Sequence, residues 1–589
     1  MCGIIGYIGE ESAATILLNG LKRLEYRGYD SAGMCTIDQS KIQIKKGVGK
    51  VDEIHKKLNL TNLSGNIGIA HTRWATHGKV TIANAHPHTS CKEDIAIVHN
   101  GTIENYQELK EILIKDGHNF KSETDSEVIA HLIEKFYLEY KDEEKAVLTV
   151  ANMLKGAFAF AAIFQKNPNI LIGVRKDSPL VIGIGKDGYF LASDILAFID
   201  HTDRAIFLDN QEIAIVSRKG VKILTFNGLE VNKSITQVAW EVSDVSKKEF
   251  KHFTLKEIKE QVYTVRAALN QDLNKIDEFC NKIKNAKRIY VVACGTSYHA
   301  GLMAKHLFNK LAKIYIEPII ASEFLHYGDL TDGGSVIIAI SQSGETADVL
   351  NVVREARKQG LKVFAIVNSV SSSLVRESDL SLFINCGPEI GVAATKSFTS
   401  QLVIIYLLAL KLAGLSIEDS GLLKLSKYVR EVLKLEDEIQ KISLKYYNNG
   451  DFYYVGRGPH FPIALEGALK LKELAYIHAE GMPAGELKHG TLALINDGTP
   501  VVVLNPYDET YFETLGNAAE MKARGAKIIG VSDRMNEIYD DFIHLPTVNK
   551  LLYPIIEVIP LQLLAYYITI ARKQDPDYPR NLAKSVTVK

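Results

Sequence analysis

The sequence predicts a multidomain α/β protein, with stacked antiparallel sheets first and two doubly wound parallel sheets behind them. Three observations carry this. The first 235 residues or so hold short β-type runs at close spacing, such as "GIIGYIG", "KIQIKKGVG", "NIGIAHTRWAT", "EDIAIVHNGTI" and "AFAFAAIF", the pattern of antiparallel sheets. From about residue 275, strands such as "RIYVVACG" and "SVIIAIS" alternate with helical patterns, as in a parallel sheet. That second style then recurs: "YVVACGTSYHAGLMAKHLF" from 290 lines up with "YYVGRGPHFPIALEGALKL" from 453. Glu323/Glu486, His326/His489 and Glu345-Thr346/Glu509-Thr510 keep register, so this is an internal repeat.

Taken in order, the first part carries helical patterns near 11–24, 104–116 and 124–139 between its strands. The polar stretch "EVSDVSKKEFKHF" (241–253) reads as a linker into a helix. The domains expected are 1–235, a linker and leading helix over 236–274, a first repeat copy over 275–420, a second over 445–575, and a tail over 576–589. At 589 residues the chain is too long for one core. Two apolar stretches fall short of a membrane span. "LVIIYLLAL" (402–410) is too short, and 551–571 is broken by Pro554, Glu557 and Pro560.

Composition narrows the class. Lys+Arg is 69 against Asp+Glu 70, and 46% of residues are hydrophobic. The balance argues against a general nucleic-acid or membrane-surface binder. Six cysteines are scattered without a CxxC pair, which fits a reduced cytoplasmic chain better than a disulfide or zinc scaffold. No basic stretch precedes the N-terminal apolar run, so it is not a secretory signal. No cofactor is expected. "HPH" (86–88) hints at metal but lacks a third ligand at a known zinc spacing, so no metal is expected either.

The chemistry begins at "MCGIIG". If Met1 is removed, Cys2 gains a free α-amine with an ordinary pKa of about 7.7–8.0, able to take the thiol proton. Position alone favours a small apolar residue opening a buried strand. "AHTRWATHG" (70–78) is dense in polar and aromatic groups. "HNGTIENY" offers Asn100 and the Gly101 N–H as oxyanion donors. In the repeat, Ser341-Gln342-Ser343-Gly344-Glu345-Thr346 joins a strand to a helix beginning near Thr346, where backbone N–H groups suit a phosphate; N-capping is the plainer reading. The second copy has "NPYDET" there and lacks both serines, so the phosphate site is expected in the first copy only. Thr296 and Ser297 can join the same crevice. Glu466, Lys470 and Glu473 fall on one helix face at i, i+4 and i+7, which suits acid–base work in a dry crevice or a surface ion-pair ladder. "GELKHG" adds His489, which its counterpart His326 makes equally a residue of the fold. The tail's Pro576 and Pro579 stop a helix, and Leu582, Ala583, Val586 and Val588 are expected to pin it as a strap.

Together "CGIIGYIG", "LEYRGYDSAG", "GIAHTRWATHG", "NAHPH", "VHNGTIENY", "SETDSEVI", "ISQSGETADVL", "ALEGALKLKE" and "GELKHG" resemble the glutamine–fructose-6-phosphate aminotransferase (glucosamine-6-phosphate synthase) family over essentially the whole chain. The resemblance implies an N-terminal nucleophile αββα glutaminase sandwich and two sugar-isomerase (SIS) domains, with glutamine and fructose 6-phosphate as substrates. It implies Cys2 as nucleophile, Asn100 and Gly101 as oxyanion hole, and Arg73, Thr76, His77, Gly101 and Asp125 as glutamine ligands. Trp74 resembles the gate of an ammonia channel. Thr296, Ser297, Ser341, Gln342, Ser343, Thr346 and Val392 resemble the sugar-phosphate ligands. Glu473 resembles the isomerase base with Lys470 beside it, Lys584 the imine-forming lysine, and His489 a ring-opening group lent by a neighbouring subunit of a homodimer. Thr491 departs from a proline common in relatives. Other readings are weaker. A non-catalytic SIS sensor leaves Cys2 to Asp125 unexplained. A phosphoribosyl transferase lacks its acidic diphosphate loop here, and an asparagine synthetase lacks its nucleotide loop.

Overall fold

A computed structural model of the chain describes residues 2–237, 246–327 and 333–587. The expected loss of Met1, the Val588 anchor and part of the 241–253 linker lie outside them. Two compact units are present: Met1–Ser246 with Glu345–Ala347 and Ala583–Lys589, and Lys247–Gly344 with Asp348–Leu582.

The first unit is a four-layer sandwich. An eight-stranded antiparallel sheet has Gly3–Gly9 near its middle, paired to Gly188–Ala192 on one side and Ile67–Arg73 on the other. A six-stranded sheet runs Gly220–Thr225, Glu212–Ser217, Asn167–Lys176, Phe158–Phe164, Ile95–Gly101, His88–Thr89. Period-2 alternation sorts the side chains. Ile4 and Ile8 meet Val98, Ala159 and Ala161 between the sheets, while Ile5 and Tyr7 pack with helix Ala13–Leu24 on the outer face. Helices Tyr106–Lys115, Glu127–Tyr140 and Glu143–Met153 cover the second sheet through Val128, Ile129 and Val147. The helix over Glu143–Met153 was not expected from the sequence. This αββα order and the two parallel sheets below match the expected fold class.

In the second unit the repeat is visible strand by strand. One five-stranded parallel sheet runs Glu317–Ile320, Arg288–Ala293, Ser335–Ser341, Lys362–Val367, Leu380–Phe383. The other runs His478–Pro483, Asp451–Gly456, Pro500–Leu504, Lys527–Ser532, Asp541–His544. Both have the order 2-1-3-4-5, in which ligands gather at the carboxyl ends of the strands beside the first. One apolar core joins both copies, including helices Phe253–Ala268, Lys396–Ala413 and Tyr553–Ala571.

Two sequence expectations need correction. The run at 402–410 sits within an 18-residue helix, and residues 550–571 form a second helical stretch that is also long and apolar enough to cross a membrane. Of each apolar window 89% is buried within the protein. Pro554 lies in the first turn, where a missing N–H costs nothing, and Pro560 is accommodated inside helix Tyr553–Ala571. Glu557 does not interrupt it, because the buried His460 imidazole holds its carboxylate at 2.8 Å. The tail also differs. Ser585 and Thr587 are buried, Leu582 and Ala583 are half-buried, and Val586 is exposed, so Val586 is no apolar anchor. Asp577 is the anchor instead. Its carboxylate accepts the N–H groups of Phe253 and Thr254 and the Thr254 hydroxyl at the start of helix Phe253–Ala268, where an anion satisfies orphan donors. The Asp577 carbonyl also accepts the Val392 N–H.

Candidate active site

The antiparallel register of Gly3 opposite Thr72 sets Cys2 beside the end of strand Ile67–Arg73. A cleft with roughly 230 Å³ of empty space opens there, lined by Cys2, Arg73, Trp74, Thr76, His77, His86, His99, Gly101, Thr124, Asp125 and Ser126. The Cys2 Sγ and the Trp74 backbone face each other, with Sγ 3.4 Å from both N and O. Burial pushes the Cys2 thiol up, against the pull of the Trp74 N–H and the Arg73 guanidinium. Arg73 is held by backbone carbonyls of His77, Gly78 and Lys79. Asp125 is buried and accepts the Ile103 N–H at 2.8 Å. Thr76 is exposed, and His77 lies edge-on to Tyr106.

Gly101 has φ +110°, and a Cβ there would sit 2.0 Å from the Ala157 carbonyl oxygen; only glycine fits. Asn100 is not part of the cleft lining. Its amide donates to Ser193 Oγ at 2.7 Å, and its oxygen lies 3.1 Å from His71 Nε2. Ser193 Oγ also accepts the Ile4 N–H, so this buried serine ties Asn100 to the strand that follows Cys2. The sequence reading missed Ser193, and nothing in its local pattern marks it. It also missed the role of the "HPH" histidines. His71, His86, His88 and His99 are buried together, with the His86 ring 4.1 Å from His71 and 4.4 Å from His88. Burial drives all four below the ordinary imidazole range, His71 to about 3. They are neutral groups: His71, His88 and His99 hydrogen-bond to Asn100, Thr124 and Ser126, and His86 packs between rings.

The second unit gathers another polar set. Thr296, in helix Gly295–Leu307 of the first repeat copy, donates to Glu466 at 3.0 Å and accepts from Lys470 at 3.1 Å. Glu466 and Lys470 come from helix His460–Ala475 of the second copy and are fully buried. Lys470 Nζ lies 2.6 Å from Glu473 and 3.2 Å from Glu466, and His299 Nδ1 lies 2.7 Å from Glu466. Burial alone would neutralise Lys470, but the two carboxylates outweigh it and push its pKa up. Burial likewise opposes ionisation of Glu466, and Lys470 and His299 reverse that. The helix face read from the sequence is therefore a buried ion-pair network with Lys470 as a fixed cation. His299, three residues after Thr296, was legible as sharing its helix face but was not singled out.

Ser297 Oγ accepts the Gln401 amide at 3.0 Å. Ser341 ends strand Ser335–Ser341, and its Oγ accepts the Gly344 N–H at 3.0 Å. Gln342 and Ser343 follow, both half-buried, and helix Ala347–Lys358 begins after Thr346, which groups with the first unit. Val392 is buried. His489 is exposed in a short 3₁₀ turn and is not brought to the Glu473 network. Lys584 is half-buried in the tail, in the segment that groups with the first unit. In the second copy, the loop equivalent to the serine loop holds Asp508, which pairs with His460 at 3.0 Å and accepts from Thr510.

The comparisons follow this division. Residues 71–200 match the glutamine amidotransferase domain family, and 282–411 and 445–572 each match the SIS domain family. The chain is 48% identical over 597 residues to the glutamine–fructose-6-phosphate aminotransferase (isomerizing) of Pyrococcus horikoshii and 46% identical over 596 residues to that of Aquifex aeolicus, covering 100% of each pair of chains. A solved C-terminal domain of glucosamine-fructose-6-phosphate aminotransferase from Francisella tularensis is 40% identical, covers 57% of this chain and 100% of its own, and superposes with a TM-score of 0.54. The chain belongs to the family of isomerizing glutamine–fructose-6-phosphate aminotransferases.

Proposed function

We propose that the chain converts fructose 6-phosphate and glutamine into glucosamine 6-phosphate and glutamate. The observation that carries this is the cleft at Cys2, where a thiol, a guanidinium and a buried carboxylate converge. Arg73 matches the carboxylate of a free amino acid and Asp125 its ammonium, while Thr76 and His77 border the same space. The Cys2 sulfur attacks the side-chain amide carbon and ammonia leaves; the oxyanion is assigned to the Gly101 N–H and to the second N–H of the Asn100 amide, whose first is held by Ser193 behind the cleft lining. Water then releases glutamate from the thioester. Because burial keeps the resting thiol protonated, a base must act during attack, and that role is assigned to the α-amine freed by loss of Met1.

Ammonia is used in the second unit, with Trp74 assigned as its gate. There Ser341, Gln342, Ser343, Thr346, Thr296 and Ser297 hold the phosphate, and Val392 borders the sugar. The Asp508 carboxylate in the second copy's equivalent loop disfavours an anion, which supports a single phosphate site. Glu473, 2.6 Å from Lys470 Nζ, moves the proton between C1 and C2, and Lys584 forms the sugar imine. Exposed His489 supports its assignment to a partner subunit's site in a homodimer. The domains assigned to these tasks are 1–235 for glutamine, 275–420 for phosphate and 445–575 for isomerisation, linked by 236–274 and closed by 576–589. The working setting is cytoplasmic, without nucleic acid or membrane. Incubation with glutamine, with and without fructose 6-phosphate, tests the reading: glutamate and glucosamine 6-phosphate should appear in equal amounts when both substrates are present. Glutamate without amino sugar under those conditions would reject it.

A further inference from the structure

Outside the glutamine cleft, the first unit brings together four side chains from three separate places. Cys91 follows strand His88–Thr89, His118 follows helix Tyr106–Lys115, and His131 and Glu134 lie one turn apart on helix Glu127–Tyr140. Their ligand atoms all lie within 4.8 Å of one another. We propose that Cys91, His118, His131 and Glu134 form a structural site for one zinc ion.

Three of the six edges of the cluster already have the size of a zinc tetrahedron's. Bonds of about 2.3 Å to sulfur and about 2.0–2.1 Å to nitrogen and oxygen give S···N edges of about 3.5 Å and N···O edges of about 3.3 Å. Cys91 Sγ lies 3.6 Å from His118 Nδ1 and 3.5 Å from His131 Nδ1, and His118 Nδ1 lies 3.3 Å from Glu134 Oε2. The surrounding groups suit a metal as well. The Asn119 N–H donates to Cys91 Sγ at 3.3 Å, a bond that a metal-bound sulfur keeps. His131 Nε2 lies 3.4 Å from Glu127 Oε1, so a bound ion on Nδ1 would place the outer N–H toward that carboxylate, the carboxylate–histidine–metal arrangement. Glu134 is oriented by the N–H groups of Cys91 and Lys92.

One thiolate, one carboxylate and two neutral imidazoles supply two negative charges for a dication. The thiolate and imidazoles select zinc over magnesium or calcium. Four protein ligands leave no open position, which marks a structural role. The three inner ligands are buried or nearly so, while Cys91 is exposed and gives the ion a way in. A consequence reaches the cleft. Glu127 also accepts the N–H groups of Lys121 and Ser122 and the Ser122 hydroxyl. A bound ion would thereby fasten both ends of the loop 118–127 that carries Thr124, Asp125 and Ser126. The histidines of "HPH" take no part.

The test uses the full chain, untagged, loaded with zinc and then desalted. Elemental analysis should find about one zinc per chain, and the Cys91→Ser/His131→Gln double variant should fall to background. Cobalt in place of zinc should give a thiolate-to-cobalt charge-transfer band that Cys91→Ser abolishes. Glu127→Gln should keep the stoichiometry at saturating zinc but weaken affinity by about 10- to 100-fold in a chelator competition. A wild-type chain that retains no zinc, a double variant that retains as much as wild type, or cobalt bound without the thiolate band would each overturn the site.

Discussion

At the scale of single residues, the chemistry depends on side chains whose ionisation is set by burial and by one or two neighbours. Cys2 is pushed toward the thiol, so its reactivity rests on a proton acceptor acting at the moment of attack and not on a standing thiolate. Cys2→Ala should lower glutamine-dependent amino-sugar synthesis by roughly 10³-fold or more, while synthesis from high concentrations of free ammonia persists. Comparable rates with both nitrogen sources in the variant would remove Cys2 from the mechanism. In the second unit, Lys470 is locked as a cation by Glu466 and Glu473. Glu473→Gln should lower kcat by about 10²- to 10⁴-fold, the span of one general base, and leave the KM for fructose 6-phosphate within a few-fold. A rise in KM with unchanged kcat would make Glu473 a binding group. Most of these residues were legible because they sit in dense local runs: Arg73 to His77 in one, Ser341 to Thr346 in another. Ser193, Asp577 and the Cys91 cluster were not, because each works through partners far away in the chain, as Asp577 does with Thr254.

At the scale of elements, the two repeat copies share a backbone plan and differ where the first strand and the third strand end. In the first copy the third strand ends in Ser341 and a turn that needs Gly344. That glycine has φ +66°, and a Cβ would lie 2.1 Å from Ser372 Oγ. Its N–H is bound to Ser341 Oγ and its carbonyl accepts the Leu374 N–H, so the turn is fixed on both sides. Gly344→Ala should cost about 1–3 kcal/mol of stability and raise the KM for fructose 6-phosphate; a melting temperature and KM equal to wild type would show that the turn is not constrained. In the second copy His460 takes the place of Ser297, at the spacing of the repeat, and meets Asp508 and Glu557. The sequence read Glu557 and the prolines of 551–571 as interruptions because a charge and two ring residues break an apolar pattern. The buried histidine that neutralises the charge lies on another helix. The order of strands in both sheets, by contrast, was implicit in the alternation of β-runs and helices and in the duplication.

At the scale of the whole molecule, the second unit holds one buried histidine of the opposite kind to those of the first, and this gives it a response to alkaline pH that the first unit's histidines do not produce. In the first unit His71, His86, His88 and His99 are held neutral, with folded pKa values below the ordinary 6.5. The unfolded chain then binds protons that the folded one refuses. Stability is full above pH 6.5 and falls as the pH drops below it, by at most about 1.4 kcal/mol per pH unit for each histidine, continuing for His71 toward pH 3. In the second unit burial opposes the charge on His460, yet Glu557 and Asp508 raise its pKa to about 9. The nearby His306 is lowered to about 4, so below pH 6.5 it gives the second unit an acid-side loss of the same sign as in the first. The His460 contribution is full below pH 6.5 and is lost as the pH rises through 9, a change of about 3 kcal/mol. Removing the imidazole in His460→Ala strands a buried Glu557 and should cost about 3–5 kcal/mol at pH 7. Hydrogen exchange read by mass spectrometry separates the units in the intact chain. Peptides from strand Ile95–Gly101 should lose protection between pH 6.5 and 5.5, after correction for the intrinsic rate. Peptides from helix Tyr553–Ala571 should lose protection between pH 7 and 9, where those of the strand hold, and in His460→Ala they should be open already at pH 7. Loss of protection in both regions between pH 7 and 9 would show that these buried histidines do not set the stability of their own units.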